Sequence, residues 1–493
     1  MWINGNPNLY EINTRVWINR FNTDDKKATL DDVPETYWDD LRAKGIDYIW
    51  LMGVWETSPA LIDRCNFEQG LVESYGKALK DWQNDDVIGS PYAINKYEIN
   101  EKLGNHESLR KLKSLLNKKG MKLILDYVPN HFGADTPLLE SMPEIFLSAT
   151  HDYFDRDSHT FYCPFDDNRV FAHGRDPFFP AWQDTVQVNY FSLQAREFMI
   201  KTMISLTHVC DGVRCDMAML ALNNVFRNTW GGILSNMGFE KPQDEFWKVA
   251  IEIVKNYSTG FIFIAEAYWD LEWELQQLGF DYTYDKKLTD RLRAGDVKNI
   301  RDHLHAEKAY QKKSIRFLEN HDEERAVTSF GPEKTKAAAV IAYTLQGMHF
   351  FYDGQFEGKK VKLPVQLGRE PKENENKRIK ECYDKLLDTI NHEIFKKGVW
   401  DLLETLPSWE GNESYKKILA WQWRFHGERR LIVVNYTDSV VTCRLKLDVQ
   451  GYPETFWITD LLDGETYLRS AEEVYHTGLF IELKNYHSHI FAY

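Results

Sequence analysis

The sequence predicts an α/β protein: a (β/α)8 TIM barrel with a small domain inserted after its third strand and an antiparallel β-sandwich at its C-terminal end. Three observations carry that prediction. Short apolar, β-branched or aromatic runs alternate with amphipathic helical stretches over most of the chain, the mark of βα units around a parallel sheet. Four of those runs end in acidic clusters, as strand exits on one face of a barrel do. After about Lys397 the texture changes to short alternating runs separated by turns, which points to an antiparallel sandwich. The expected division is 1–131 with 188–396 for the barrel, 132–187 for the insert and 397–493 for the sandwich.

The elements follow in order. Leu9 to Trp17 mixes β-branched and aromatic residues and reads as the first strand. Pro34 to Lys44 is an amphipathic helix stopped by Gly45, and Asp47 to Met52 is nearly all apolar, as a strand covered on both faces should be. His106 to Lys119 reads as a helix with Gly120 at its C′ position. Met121 to Val128 is the next strand. From about Phe132 to Gln187 the periodicity fails among prolines and aromatics, and so long an excursion is normally functional. Helix returns at Ser192 to His208, strand at Gly212 to Cys215, helix at Gln243 to Tyr257 and strand at Phe261 to Ala265. Ile315 to Leu318 reads as the seventh strand and His349 to Tyr352 as the eighth. Lys334 to Leu345 lies between them as a helix, and Asn374 to Ile390 closes the ring.

Composition narrows the function. A length of 493 residues at 43% hydrophobic supports a sizeable core and two or three domains. A formal net charge of −15 repels nucleic acid and anionic membranes, while neutral sugars tolerate it. No window approaches the roughly 20 apolar residues of a membrane span. The six cysteines lack any paired spacing, and Met1 to Asn6 has neither a basic patch nor an apolar core. A reduced, cytoplasmic protein is the expectation. Oligomeric state is not legible.

The chemistry lies in four blocks: Asp126-Tyr127-Val128-Pro129-Asn130-His131, Asp211-Gly212-Val213-Arg214-Cys215-Asp216, Phe263-Ile264-Ala265-Glu266, and Phe317-Leu318-Glu319-Asn320-His321-Asp322. Two carboxylates, one nucleophilic and one acid/base, are the minimum for cleaving a glycosidic bond with retention. Arg214 precedes Asp216 by two, so on a strand both face one way, and a guanidinium there favours an ionised carboxylate.

In this order and spacing the blocks resemble the four short regions of the α-amylase family of glycoside hydrolases and transglycosidases, a likeness that runs from Tyr10-Glu11-Ile12 to Tyr352-Asp353-Gly354-Gln355. The resemblance implies Asp216 as nucleophile, Glu266 as general acid/base and Asp322 as the carboxylate that grips sugar hydroxyls. It implies His131 and His321 as donors to the sugar being cleaved, Tyr92 as the ring stacked beneath it, and Asp126 as a supporting residue. Asn130 occupies a position that in many relatives binds structural calcium. Where many amylases carry a Lys-His pair after the nucleophile, this chain has Met219 and Leu220, and Pro91 stands where a glycine is expected. Met219 and Leu220 weaken the calcium inference, so no cofactor is expected to be required, and a structural calcium at Asn130 stays open.

The leading expectation is a retaining hydrolase of α-1,4-linked glucans or maltooligosaccharides. A transglycosidase would share every catalytic residue and differ in whether water or sugar captures the intermediate. A non-catalytic binding protein on the same barrel would not need carboxylates at all three positions.

Overall fold

The computed structural model describes residues 5–493; Met1 to Asn4, part of the segment read for leader character, lie outside the described residues. Eight parallel strands close a barrel in chain order: β1 (Asn8–Asn13), β2 (Tyr48–Met52), β3 (Lys122–Tyr127), β4 (Gly212–Cys215), β5 (Ile262–Ala265), β6 (Tyr282–Tyr284), β7 (Ser314–Arg316) and β8 (Met348–Tyr352). Each strand is buried on both faces, which explains the near-continuous apolar runs. In β2, Tyr48, Trp50 and Met52 join the lumen cluster with Ile124, Ile264, Tyr284 and Phe350, while Ile49 and Leu51 face the helices.

Several elements differ from expectation. The first strand ends at Asn13, and Thr14–Trp17 coil into a helical turn. That turn packs Trp17 against Tyr37 and Trp38 and lets the Arg15 guanidinium cap the carbonyls of Gly89 and Val365 at 2.8 Å each. Tertiary contacts override the local β preference there. No apolar run announces the three-residue β6. The helix Asn223–Asn236 was also unexpected: Gly231 and Gly232 disguise it, yet Phe226, Trp230, Ile233 and Leu234 form one buried stripe. The seventh strand pairs over Ser314–Arg316, so Phe317 and Leu318 lie beyond its ladder.

The excursion after β3 contains short pieces. His131–Gly133 pairs antiparallel with Thr185–Gln187, and Ser148–Ala149, Val170–Ala172 and Phe161–Tyr162 form a second small sheet. Its rings Phe132, Phe146, Phe161 and Phe171 belong to the same apolar cluster as the barrel's outer layer, so it is fixed beside the mouth.

After Lys397 a six-stranded antiparallel sheet and a two-stranded one enclose a separate core that includes Leu431, Val433, Val441, Ile458 and Ile481. Alternate residues turn the other way, toward the barrel. Trp421 and Trp423 donate indole N–H groups to the Thr344 carbonyl at 3.2 and 2.8 Å, and the Tyr436 hydroxyl donates to Leu292 O at 2.9 Å. All six cysteines are free. Among the described residues no helix is long and apolar enough to cross a membrane.

Candidate active site

Strand β4 builds the centre of the barrel mouth. Val213 and Cys215 pack outward, so Arg214 faces the lumen. Gly212 is required one turn of the pleat below, where a Cβ would come within 2.6 Å of Ile262 O and 2.8 Å of Ile124 Cδ1. Arg214 is fully buried, with its guanidinium carbon 5.0, 5.5 and 5.7 Å from the ring centres of Trp50, Tyr92 and Tyr284. These aromatic faces are favourable surroundings for a cation shielded from water.

Three carboxylates surround that one guanidinium. Nη1 donates to Asp216 Oδ1 at 2.7 Å and lies 3.6 Å from Asp126 Oδ1; Nη2 lies 2.8 Å from Glu266 Oε2. The last is a charge contact only, because Nη2 has no aligned hydrogen-bond partner, and Asp126 Oδ1 lacks one too. Asp126 Oδ2 accepts from the Gly53 amide at 3.1 Å. Glu266 Oε2 accepts from the Met217 amide at 2.7 Å, and Oε1 from the Tyr268 hydroxyl at 2.9 Å.

Burial pushes all three carboxyls upward and Arg214 opposes it. Burial prevails: Glu266 and Asp126 each rise to about 7, Glu266 helped by the charges of Asp216 and Asp322. Asp216 is also raised, so the expected depression by Arg214 is outweighed by loss of solvent. Asp216 nevertheless holds the one aligned hydrogen bond that the guanidinium gives to a carboxylate, which favours its charged form; Nε turns to the Tyr284 hydroxyl at 3.3 Å.

A second group completes the mouth. His321 Nδ1 is 2.5 Å from Glu11 Oε1, and Nε2 lies 2.9 Å from the Tyr92 hydroxyl and 3.0 Å from Asp322 Oδ2. Burial disfavours charge on His321, but Asp322 and Glu11 overcome it and hold the imidazole well above its usual range. In return, charged His321, with Arg214 and Lys362, outweighs the partial loss of water around Asp322 and draws its carboxyl down to about 2. The Asp322 carboxylate is half exposed and faces the opening. Tyr92 lies nearly parallel to His321, ring centres 5.6 Å apart. His131 is buried with its ring 5.3 Å from that of Trp182, and burial lowers it to about 4, leaving a neutral imidazole.

The structure therefore gathers Tyr92, Asp126, Arg214, Asp216, Glu266, His321 and Asp322 around one opening, with His131 at the insert edge beside it. Asn130 does something else: Gln187 Nε2 donates to its side-chain oxygen at 2.9 Å and to its carbonyl at 2.8 Å, and the Val188 amide also reaches that carbonyl. Asn130 ties the insert to the barrel through a side chain and an amide. Its oxygens are engaged, and Met219 and Leu220 are buried apolar residues. This donor set does not fit the roughly six to eight oxygens of a calcium shell. Among the described residues, the grouping of acids and histidine with metal-like spacing is Asp460, Asp463 and His489, in the C-terminal sheets.

Four contributors escaped the sequence reading. Glu11 is a carboxylate inside a fully buried strand, a signal that was present. Tyr268 follows Glu266 by two residues. Tyr284 sits on the unannounced β6, and Lys362 gives no local signal at all.

A sequence profile described as "Alpha amylase, catalytic domain" matches residues 38–404. Among curated proteins, α-amylase MalA of Haloarcula japonica is 23% identical over 285 residues, covering 56% of this chain and 38% of that protein. α-Amylase 3 of Dictyoglomus thermophilum is 24% identical over 293 residues, covering 56% of this chain and 55% of that one. The chain thus spans about half the length of these relatives, or less. Among solved structures, the maltogenic α-amylase AmyB of Thermotoga neapolitana superposes with a TM-score of 0.70 at 20% identity, over 99% of this chain and 98% of that one. The acarbose-complexed α-amylase of Geobacillus thermoleovorans gives 0.67 at 17% identity, over 99% and 98%.

Proposed function

The chain belongs to the α-amylase family, and on that premise we propose that it is a retaining glycoside hydrolase of α-1,4-linked glucans or maltooligosaccharides. The observation that carries the reading is the unequal grip of Arg214 on two carboxylates. Asp216 receives the aligned hydrogen bond, while Glu266 receives a charge contact and rises to about 7. Burial raises both carboxyls, and the guanidinium hydrogen bond on Asp216 favours its anion, which assigns Asp216 as nucleophile and Glu266 as acid.

The steps follow. The Asp216 carboxylate attacks the anomeric carbon as Glu266 gives its proton to the departing glycosidic oxygen, breaking the sugar–oxygen bond and leaving a covalent glycosyl ester. Glu266, now ionised, takes a proton from water, whose oxygen displaces Asp216 and restores the original configuration. Asp322, His321 and His131 line the place where the reacting sugar's hydroxyls would bind, and Tyr92 offers a ring for its apolar face. The names of the curated relatives support an α-glucan as substrate. No cofactor enters these steps.

Glu266→Gln tests the reading. An activated aryl glycoside needs little protonation, so its first step survives while natural glucans are no longer cleaved. Added azide then gives a glycosyl azide of retained configuration. An azide of inverted configuration would reverse the assignments of Asp216 and Glu266. Products formed with and without an added sugar acceptor separate hydrolysis from transfer.

A further inference from the structure

Glu266 does not present two equivalent oxygens to the cleft. Oε2 faces a backbone amide and a guanidinium, both pure donors: Met217 N at 2.7 Å and Arg214 Nη2 at 2.8 Å. A proton on Oε2 would point into one of them, so the catalytic proton belongs on Oε1. The partner of Oε1 is the Tyr268 hydroxyl at 2.9 Å. A hydroxyl both donates and accepts, so it can serve Oε1 in either protonation state.

The backbone supports this placement. Trp269 and Asp270, directly after Tyr268, both adopt left-handed conformations, with φ of +63° and +65°. Neither is glycine, and a bulky tryptophan there is rare. Tyr268 thus stands between the carboxylate it contacts and a strained turn. Such strain persists where the surroundings impose it, often at functional sites.

We propose that Tyr268 is a positioning residue that holds the proton-bearing oxygen of Glu266 toward the leaving group and stabilises the carboxylate left after proton transfer. This rests on the acid/base reading of Glu266 above. In the glycosylation step Oε1 gives its proton to the glycosidic oxygen, and the Tyr268 O–H donates to the negative charge that appears on Oε1. In the second step Oε1 takes a proton from water and that hydrogen bond relaxes. The other titratable groups facing Glu266 are Arg214, Asp216, Asp322 and Tyr284, on β4, after β7 and on β6, so Tyr268 tunes a carboxyl whose charge they largely set.

The test is Tyr268→Phe, which keeps the ring and removes one oxygen. Losing a donor to the charged form should move the alkaline limb of kcat/KM on a maltooligosaccharide upward by about half to one pH unit. It should also lower kcat about tenfold with little change in KM, as expected for an interaction strengthened in the transition state. On an activated aryl glycoside the first step should stay within about twofold of the parent. An unmoved alkaline limb, or an equal loss on both substrates, would overturn the proposal, because packing alone does not distinguish leaving groups. Glu266→Gln run alongside separates the two claims. If it shows no dependence on the leaving group, the acid/base reading itself fails. If it does and Tyr268→Phe does not move the limb, only the role of Tyr268 fails.

Discussion

Arg214 and Arg316 are both fully buried on barrel strands, yet their surroundings are opposites. Arg316 lies between β7 and the helices, where it pairs with Asp285, donates to Gln346 O at 3.1 Å and reaches Gln311 Oε1 at 3.4 Å. Asp285 also receives the Leu288 amide at 3.2 Å and lies 2.8 Å from His303 Nε2. Every polar atom of Arg316 and Asp285 finds a partner. Arg214 instead faces three carboxylates, leaves Nη2 without an aligned bond and leaves Asp126 Oδ1 an orphan. Burial lowers Arg316 to about 9, while the crowd of acids holds Arg214 well above its ordinary range. A satisfied network fixes a fold; excess negative charge at a mouth is held in place by that fold for chemistry.

The sharpest way to break this comparison is Asp216→Asn. If the Arg214 cluster exists for catalysis, turnover of a maltooligosaccharide should fall about 10⁴-fold or more with the melting temperature nearly unchanged. Activity within about tenfold of the parent would remove Asp216 from the mechanism. Arg316→Leu should do the reverse. It strands Asp285 in the interior, so stability should drop by about 3–5 kcal/mol in denaturant titration, while kcat per folded molecule stays within about twofold. A variant that melts like the parent would show that Arg316 is dispensable to the barrel.

These two clusters also mark how far sequence carries. Arg214, Asp216, Glu266 and Asp322 were legible because strand ends in a barrel converge, so local motifs report a shared place. The Arg316 cluster was not, since Asp285, His303 and Gln311 come from three elements without local pattern. Glu11 stood in plain view as a carboxylate within a buried strand, but its partner His321 is 310 positions away. The helix Asn223–Asn236 was hidden by its paired glycines, and β6 by its brevity. Met219 and Leu220, departures from the family pattern, are buried in the turn after Asp216, where a polar side chain would lose its water.

A third expectation concerns the cost of holding Glu266 near 7. Its folded value lies above that of an unfolded Glu, roughly 4.3. The folded state therefore binds the proton more tightly, a contribution to stability fully present below about pH 4 and lost as pH rises through about 7. At pH 8 the parent must keep a buried anion that Glu266→Gln does not contain. The variant should then be more stable by about 1–3 kcal/mol at pH 8, and the gap should shrink to a small fraction near pH 4. A gap that stays constant across that range would mean that Glu266 is not strained by burial, which removes the contrast with the Arg316 cluster. The same group sets the activity limb: kcat/KM should fall above about pH 7 as the acid loses its proton.

The smallest effect is expected from removing metal, and it sharpens the comparison at the joint between insert and barrel. At that joint, beside the apolar packing of Phe132 and Phe146, Asn130 meets Gln187 and Val188 through hydrogen bonds at 2.8 to 3.0 Å. A calcium ion there would have to displace the Gln187 amide from Asn130 and find further oxygens where Met219 and Leu220 offer none. Chelator should therefore shift the melting temperature by less than about 1 °C and leave activity unchanged. A bound ion at a hundredfold excess over its Kd would contribute about 2.7 kcal/mol, enough to move the transition by several degrees. A fall of that size with EDTA, reversed by calcium, would mean that oxygens elsewhere in the insert assemble around an ion. The Asn130–Gln187 contact would then be one of two arrangements of the joint. Gln187→Leu discriminates further: with hydrogen bonding alone it should cost about 1–3 kcal/mol, because the buried side-chain oxygen of Asn130 is left unpaired. With a metal it should cost little in the presence of calcium.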